Sequence, residues 1–386
     1  MTCKKDSTVF EMVMKQLMTE GFGGMRTVMT TLYNEMMKVE RVSHLKAEPY
    51  ERTNERTGYA NGFKGKTVKT TLGALSLLIP QTRDTEFYPS SLSKGLQSEQ
   101  ALLLSMAEMY LKGVSTRKVT TIMETMCGGM KIDAMAVSRA TQSLDASFAA
   151  WRNRPLGEMR YVFFDATYLK ARHGEHVRDC AILTAIGVTP KGQRMVLGCQ
   201  TALSEDKDHW GTFFESLKAR GLHGMKLITS DDHAGLKAAR KAAFSTTLWQ
   251  RCQFHLLQNA QSYVPKKNMK TQVTAEIRDI FNAPSHDAAK ERLDQFITRY
   301  TSSAPALATW AELALPQGLV VFVCPKDHRV KVRTSNMIER VNKEIKRRTR
   351  VSELFPNSDA CLRLVSGILK ETSDQWEAKG RIYLTI

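Results

Sequence analysis

Tyr161-Val162-Phe163-Phe164-Asp165 begins the part of the chain in which strand and helix patterns alternate. It is an apolar run of strand length that ends on a carboxylate. Cys180–Val188 is almost continuously apolar and runs into the turn Pro190-Lys191-Gly192. Arg194–Leu203 completes a set of three strands. Such runs, bounded by turn residues and too short for a buried helix, read as strands. The period then changes. Asp208–Arg220 is an amphipathic helix carrying Trp210, Phe213, Phe214 and Leu217. Met225–Thr229 is a fourth strand leading to Ser230-Asp231, Ala234–Phe244 a helix, Thr247–Arg251 a fifth strand, and Phe254–Tyr263 another helix.

The order is β-β-β-α-β-α-β-α. Three strands joined by turns, followed by crossovers through helices, predict a mixed sheet with helices packed on it. This is the element order of an RNase H-like domain, in the α/β class. Residues 265–318 are helical and polar, broken at Pro265, Pro284, Pro305 and Pro316. They read as an all-helical insertion into that core. Leu319–Cys324 fits either a strand or a buried helix. From Thr334 a helix follows, with Ser335 or Asn336 as its cap and Ile338, Val341 and Ile345 as its apolar stripe.

The region before the core is mainly helical. Residues 8–40 predict two helices broken at Gly21-Phe22-Gly23-Gly24, the second with the stripe Val28, Leu32, Met36 and Val39. Thr67–Thr71 and Leu75–Ile79 predict a small β-hairpin, with Arg52, Arg56, Lys64, Lys66 and Lys69 crowding it. Ser115 caps a helix through Met126, Gly128-Gly129 makes a turn, and Asp133–Phe148 is a second helix exposing Ser138 and Arg139. That pattern suits a helix-turn-helix and a plain helical hairpin equally. The expected domains are 1–95, for DNA binding or dimerisation; 96–155, helix-turn-helix-like; 156–264, the first part of the core; 265–324, the insertion; and 325–386, the rest of the core.

Composition narrows the function. The 386 residues are 42% hydrophobic, enough for a sizeable core. Lys and Arg number 56 against 39 Asp and Glu, a net charge of +17, which points to nucleic acid as partner. No signal peptide is apparent, and no apolar run is read as approaching the ~20 residues of a membrane span, so the expected location is the cytoplasm. Cys3, Cys127, Cys180, Cys199, Cys252, Cys324 and Cys361 are dispersed, which argues for free thiols.

Asp165 and Asp231 end strands that are neighbours in the expected sheet, and Glu339 lies in the first turns of the late helix. Such a trio can hold two divalent ions ~3.5–4 Å apart for an in-line phosphodiester displacement. Hard oxygen donors suit Mg²⁺, with Mn²⁺ as substitute. The residues alone leave a second reading open, in which each Asp is a turn or cap and Glu339 pairs with Lys343. Asp232 and Glu344 are rival carboxylates; Asp232 is read as a helix cap. From Arg333 to Arg350 run Arg333, Arg340, Lys343, Lys346, Arg347, Arg348 and Arg350, a basic patch for the DNA backbone. Lys170 and Arg172 add candidate phosphate contacts. Cys252 and His255 are too few for a zinc site by themselves and read as structural or DNA-positioning residues.

Four ordered motifs then carry a resemblance. Phe164-Asp165-Ala166-Thr167-Tyr168-Leu169-Lys170-Ala171-Arg172, Ser230-Asp231-Asp232-His233-Ala234-Gly235-Leu236, Trp249-Gln250-Arg251-Cys252-Gln253-Phe254-His255, and Arg333-Thr334-Ser335-Asn336-Met337-Ile338-Glu339-Arg340-Val341-Asn342, followed by Phe355-Pro356-Asn357, resemble the signature segments of the Mutator-type bacterial insertion-sequence transposases. The resemblance runs from about Gly58 to Trp376. It implies a DDE transposase whose catalytic, metal-holding trio is Asp165, Asp231 and Glu339. Such an enzyme binds the terminal inverted repeats of its element and a target, both double-stranded DNA, and cuts and joins strands as a homo-oligomer, at least a dimer. Alternatives are a metal-dependent nuclease of the same fold and a non-catalytic, domesticated DNA-binding protein. Tyr263, Tyr300 and Tyr383 are present, but no Arg/His constellation precedes one as a covalent recombinase requires.

Overall fold

A computed structural model describes residues 6–92, 98–127, 129–350, 354–380 and 382–385. Cys3 and Gly128 lie outside the described residues. The chain divides into two compact units, Met1–Ser143 and Leu144–Ile386.

The first unit holds α1 (Asp6–Glu20), α2 (Met25–Leu45), the hairpin β1 (Tyr59–Thr70) and β2 (Gly73–Arg83), then α3 (Gln100–Leu111), α4 (Thr116–Met126) and α5 (Ala134–Gln142). The Gly21–Gly24 break between α1 and α2 is a single 3-10 turn. The hairpin is longer than its two apolar runs, because its first half, rich in Gly and Lys, still pairs across to Arg83. Leu75, Leu77 and Ile79 alternate inward with Val68 and close on Met37 of α2. The expected α2 stripe is corrected: Val28, Met37, Arg41 and Leu45 are buried, whereas Leu32, Met36 and Val39 are exposed. The hairpin therefore meets α2 on a face about one residue round from the one that the apolar count suggested. Ser115 caps α4 by accepting from the Lys118 amide, and Asp133 caps α5. The helix expected over Asp133–Phe148 is in fact two, broken at Ser143-Leu144. There the Thr141 and Ser143 hydroxyls donate back to the carbonyls of Val137 and Ala140, a local competition that loosens a helix end.

The second unit holds α6 (Asp145–Arg152), β3 (Tyr161–His173), β4 (His176–Val188), β5 (Arg194–Ala202), α7 (Lys207–Ala219), β6 (Leu227–Ser230), α8 (Ala234–Ala243), β7 (Leu248–Arg251) and α9 (Gln253–Ala260). From β3 to α9 these are the elements, in the order, that the periodicity predicts. After them come α10 (Lys270–Phe281), α11 (His286–Tyr300), α12 (Pro305–Ala314), α13 (Lys326–Val332), α14 (Asn336–Thr349) and α15 (Ser358–Ala378). The sheet is mixed, in the order β5-β4-β3-β6-β7. β3 pairs antiparallel with β4 and parallel with β6. One correction concerns β3. It does not end at Asp165 but runs on to His173, because β4 pairs with it along its whole length.

Strand alternation sends Val162, Phe164 and Ile228 to one face, where Trp210, Phe213 and Phe214 of α7 and Leu236 of α8 close an aromatic core. Phe164 and Phe214 rings lie 4.7 Å apart. The opposite face carries Tyr161, whose hydroxyl meets His328 of α13 at 2.8 Å, and Thr229, which donates to the Val332 carbonyl. The helices after the insertion thus cover the face on which Asp165 and Asp231 fall.

The insertion is helical, as expected, and the ambiguous Leu319–Cys324 contains a 3-10 turn at Val320–Val323. Gln250, fully buried on β7, anchors it: its amide donates to the Gly318 carbonyl and accepts from the Val321 amide. A side chain at Gly318 would collide with Leu256 and Phe281. Against expectation, Pro305–Val323 is long and apolar enough to cross a membrane by length and composition. In this fold the segment is α12 plus two 3-10 turns, half of it buried. Cys127, Cys180, Cys199, Cys252, Cys324 and Cys361 are free thiols, as expected.

Candidate active site

The parallel register of β3 and β6 matches Tyr161 to Leu227 and Phe163 to Thr229. Continued by two residues, it sets Asp165 beside Asp231 on the same face. Burial pushes the Asp165 carboxyl up to about 7, and the negative charge of Asp231 adds to the rise. His255 and the Ala166 amide oppose it, and Glu339 adds to it. Asp165 Oδ2 accepts from Asn342 Nδ2 at 2.8 Å. Asn342 is buried one helical turn beyond Glu339 on α14, and its own Oδ1 has no hydrogen-bond partner.

Glu339 reaches the same area from α14 but keeps different company. The closest metal-ligand group among the described residues is Cys252, His255 and Glu339, with one ligand atom of each within 4.8 Å of the others. The three carboxylates do not draw together to that spacing. The Ser335 hydroxyl lies 3.1 Å from Glu339 Oε1 and 3.2 Å from Cys252 Sγ, and the Ser335 amide donates to the same sulfur at 3.3 Å. Ser335 stands at the N-cap position of α14, yet its hydroxyl serves these two side chains and makes no cap bond. A hydrogen bond that the ring donates to the Cys252 sulfur raises His255 to about 9 despite partial burial, with the Cys252 charge, Asp165 and Glu339 adding to it. Burial opposes ionisation of Cys252, but His255 and Ser335 outweigh it and hold the thiol below its ordinary value.

The rival carboxylates are engaged elsewhere. Asp232, expected to cap α8, does not do so. It pairs with buried Arg251 at 2.8 Å and with Lys237 at 2.6 Å, and His233 takes the N-cap position. Gly235 is required here, since a Cβ would strike the Glu205 and Asp206 backbone. Glu344 binds Arg347 and Arg348. The basic patch divides in two. Arg340, Lys343, Lys346, Arg347 and Arg350 are exposed, although Arg347 is tied to Glu344. Arg348 is buried between Glu344 and Glu371, which corrects its expected place on a DNA-facing surface. Arg333 is half-buried and donates to Asn282. Lys170 and Arg172 are exposed on β3, but strand alternation puts them on the opposite face from Asp165.

The remaining signature residues have structural work. Phe355 is buried and pairs with β3 through the Lys170 carbonyl and the Arg172 amide, and Asn357 caps α15. Asn342 lies outside the candidate residues that the motifs name. Its signal was the three-residue spacing from Glu339, which keeps both on one side of the helix.

Comparison with known proteins shows the family of the chain. The family model described as Transposase, Mutator family, matches residues 1–379. The chain belongs to the Mutator family of transposases. It is 46% identical over its whole length, and 99% of the relative's, to the transposase for insertion sequence element IS406 of Burkholderia multivorans. It is 36% identical to that for ISRM5 of Rhizobium meliloti, with 98% and 95% of the chains covered. With the transposase for IS256 in transposon Tn4001 of Staphylococcus aureus it shares 35%, over 93% and 92%. Among solved structures, a chain of the simian T-cell lymphotropic virus intasome complex aligns at 12% identity over 53% of this chain and 67% of that one, with a TM-score of 0.18. A score that low says nothing of a shared fold. This transposase is a DNA-binding, DNA-cutting and DNA-joining enzyme.

Proposed function

We propose that the transposase is a DDE enzyme with an RNase H-like core, in which Asp165, Asp231 and Glu339 hold divalent metal, Mg²⁺ or Mn²⁺, and cut and join DNA at the terminal inverted repeats of its element. The observation that carries this reading is the register that sets Asp165 beside Asp231 on the sheet face that α14 covers. Carboxylate oxygens, with the partnerless Asn342 Oδ1 beside them, are the hard donor set that a hydrated divalent cation takes. When bound, such cations supply the positive charge that activates the attacking oxygen and stabilises the leaving one.

The chain's own residues do the rest. Asn342 fixes the Asp165 carboxylate through Oδ2. Ser335 holds Glu339 at the start of α14. The exposed basic side chains of α14 engage the phosphate backbone next to the carboxylates. The first unit, with its basic hairpin, supports recognition of the element ends. Work on two ends at once calls for at least a dimer, acting in the cytoplasm on double-stranded DNA.

The test uses the purified protein with labelled DNA carrying the element's terminal inverted repeats, in Mg²⁺ or EDTA. Boundary nicking in Mg²⁺ that is absent in EDTA and in Glu339→Gln and Asp165→Asn supports the reading. An Asp165→Asn enzyme that still nicks and joins sinks the trio, and end-specific binding without nicking in any metal sinks catalysis by this chain.

A further inference from the structure

We propose that Cys252, His255 and Glu339 form a second metal site, selective for a thiophilic divalent cation such as Zn²⁺, that shares Glu339 with the carboxylate site. Cys252 and His255 lie one helical turn apart at the start of α9, and Glu339 comes from α14. One ligand atom from each lies within 4.8 Å of the other two. A tetrahedral zinc centre with bonds of ~2.0–2.3 Å spaces its ligands about 3.3–3.8 Å apart, so closure of about an ångström completes the set.

Thiolate and imidazole are donors that zinc favours and magnesium does not, while carboxylate serves either. Thiolate and carboxylate together neutralise a doubly charged ion, and three protein ligands leave one position for water. The surroundings are those of a supported ligand set. The Ser335 amide and hydroxyl both reach Cys252 Sγ, and the same hydroxyl reaches Glu339. Nδ1 of His255 is buried with no hydrogen-bond partner. When the cation binds, the Cys252 thiol and the protonated His255 ring each give up a proton to solvent, and the cation sheds water in exchange for the three ligands.

The consequence is regulatory. Glu339 bound at the Cys252–His255 site is withdrawn from the Asp165–Asp231 edge, so Zn²⁺ acts against Mg²⁺-supported cleavage. This consequence rests on the catalytic reading above; the site itself rests on geometry alone.

The experiment is equilibrium dialysis of the full chain against Zn²⁺ in excess Mg²⁺, with Co²⁺ as the spectroscopic stand-in. One equivalent bound is expected, with a thiolate-to-Co²⁺ charge-transfer band. The band and the tight equivalent are lost in Cys252→Ser and, independently, in His255→Asn, and persist in Asp165→Asn. Ser335→Ala weakens binding about 10- to 100-fold, as loss of a ligand's hydrogen bonds does. Absence of a tight equivalent, or one that survives either ligand substitution in folded protein, overturns the site. The two ligand variants back each other should one fail to fold. Zn²⁺ binding in a protein whose Mg²⁺-dependent nicking survives Asp165→Asn leaves the site standing while the catalytic reading falls. Zn²⁺ that binds there without reducing nicking overturns the shared role of Glu339.

Discussion

At Asp165, one buried carboxyl is made to work against its own ionisation. Its ordinary value of 3.8 is raised to about 7 in the folded chain, by burial first and Asp231 second. Between those values the folded chain holds a proton that the unfolded chain has lost. The contribution of Asp165 to metal-free stability is therefore greatest below about pH 4, falls as pH rises towards about 7, and levels beyond. Thermal melts in EDTA should show this slope, and Asp165→Asn should remove it and raise stability at pH 8 by on the order of 2 kcal/mol. Mg²⁺ should raise Tm more at pH 8 than at pH 5. An unchanged slope in the Asn variant would mean that Asp165 is not the group responsible. Asn342 is the complementary case. Asn342→Leu should keep the fold but lower Mg²⁺-supported nicking about 10- to 100-fold, the usual loss when a residue that orients a metal ligand is removed; nicking at the parental rate would rule out a positioning role. Asp165 and Glu339 were legible in the sequence because their motifs are local. Asn342 was not, because its hydrogen bond spans two elements far apart in the chain.

Helix α14 turns two faces to two tasks. Ile338, Val341, Ile345 and Arg348 point inward, and Arg340, Lys343 and Lys346 outward. The apolar stripe and the charge were both readable from a period of 3.6, but the side on which each arginine lands was not. Arg348 falls on the inner face because Glu344 and Glu371 are there to receive it. Substitutions should separate the two roles. Arg348→Ala removes a buried guanidinium from two half-buried carboxylates, of which Glu344 keeps Arg347, and should cost roughly 1–3 kcal/mol in urea unfolding. The triple change Arg340→Ala, Lys343→Ala and Lys346→Ala should leave stability within about 1 kcal/mol and lower the slope of log affinity against log salt by about 3. A triple variant with the parental salt slope would take α14 off the DNA.

For the whole molecule, two compact units meet in sequence at Ser143-Leu144. The second owns the five-stranded sheet, its aromatic core and every residue of the carboxylate and Cys252–His255 groups. Residues 144–386 expressed alone should therefore melt cooperatively, and calorimetry of that piece beside the full chain checks it. A piece without a cooperative transition would show that the core depends on the first unit. The element order of this unit was legible because each strand and helix has its own period. The position of the break between α5 and α6 was not, since helical periodicity runs straight across it and only hydroxyl-to-carbonyl bonds interrupt it.

The elements of the sheet, the helical insertion, the net charge and the family motifs are legible in the chain alone, because they are written in local patterns of polarity and spacing. Which groups meet follows from packing between distant segments. Parallel register set Asp165 beside Asp231, and the packing of α9 against the start of α14 brought Glu339 to Cys252 and His255. Those meetings depend on pairings between residues tens to more than a hundred positions apart, and no local pattern records them.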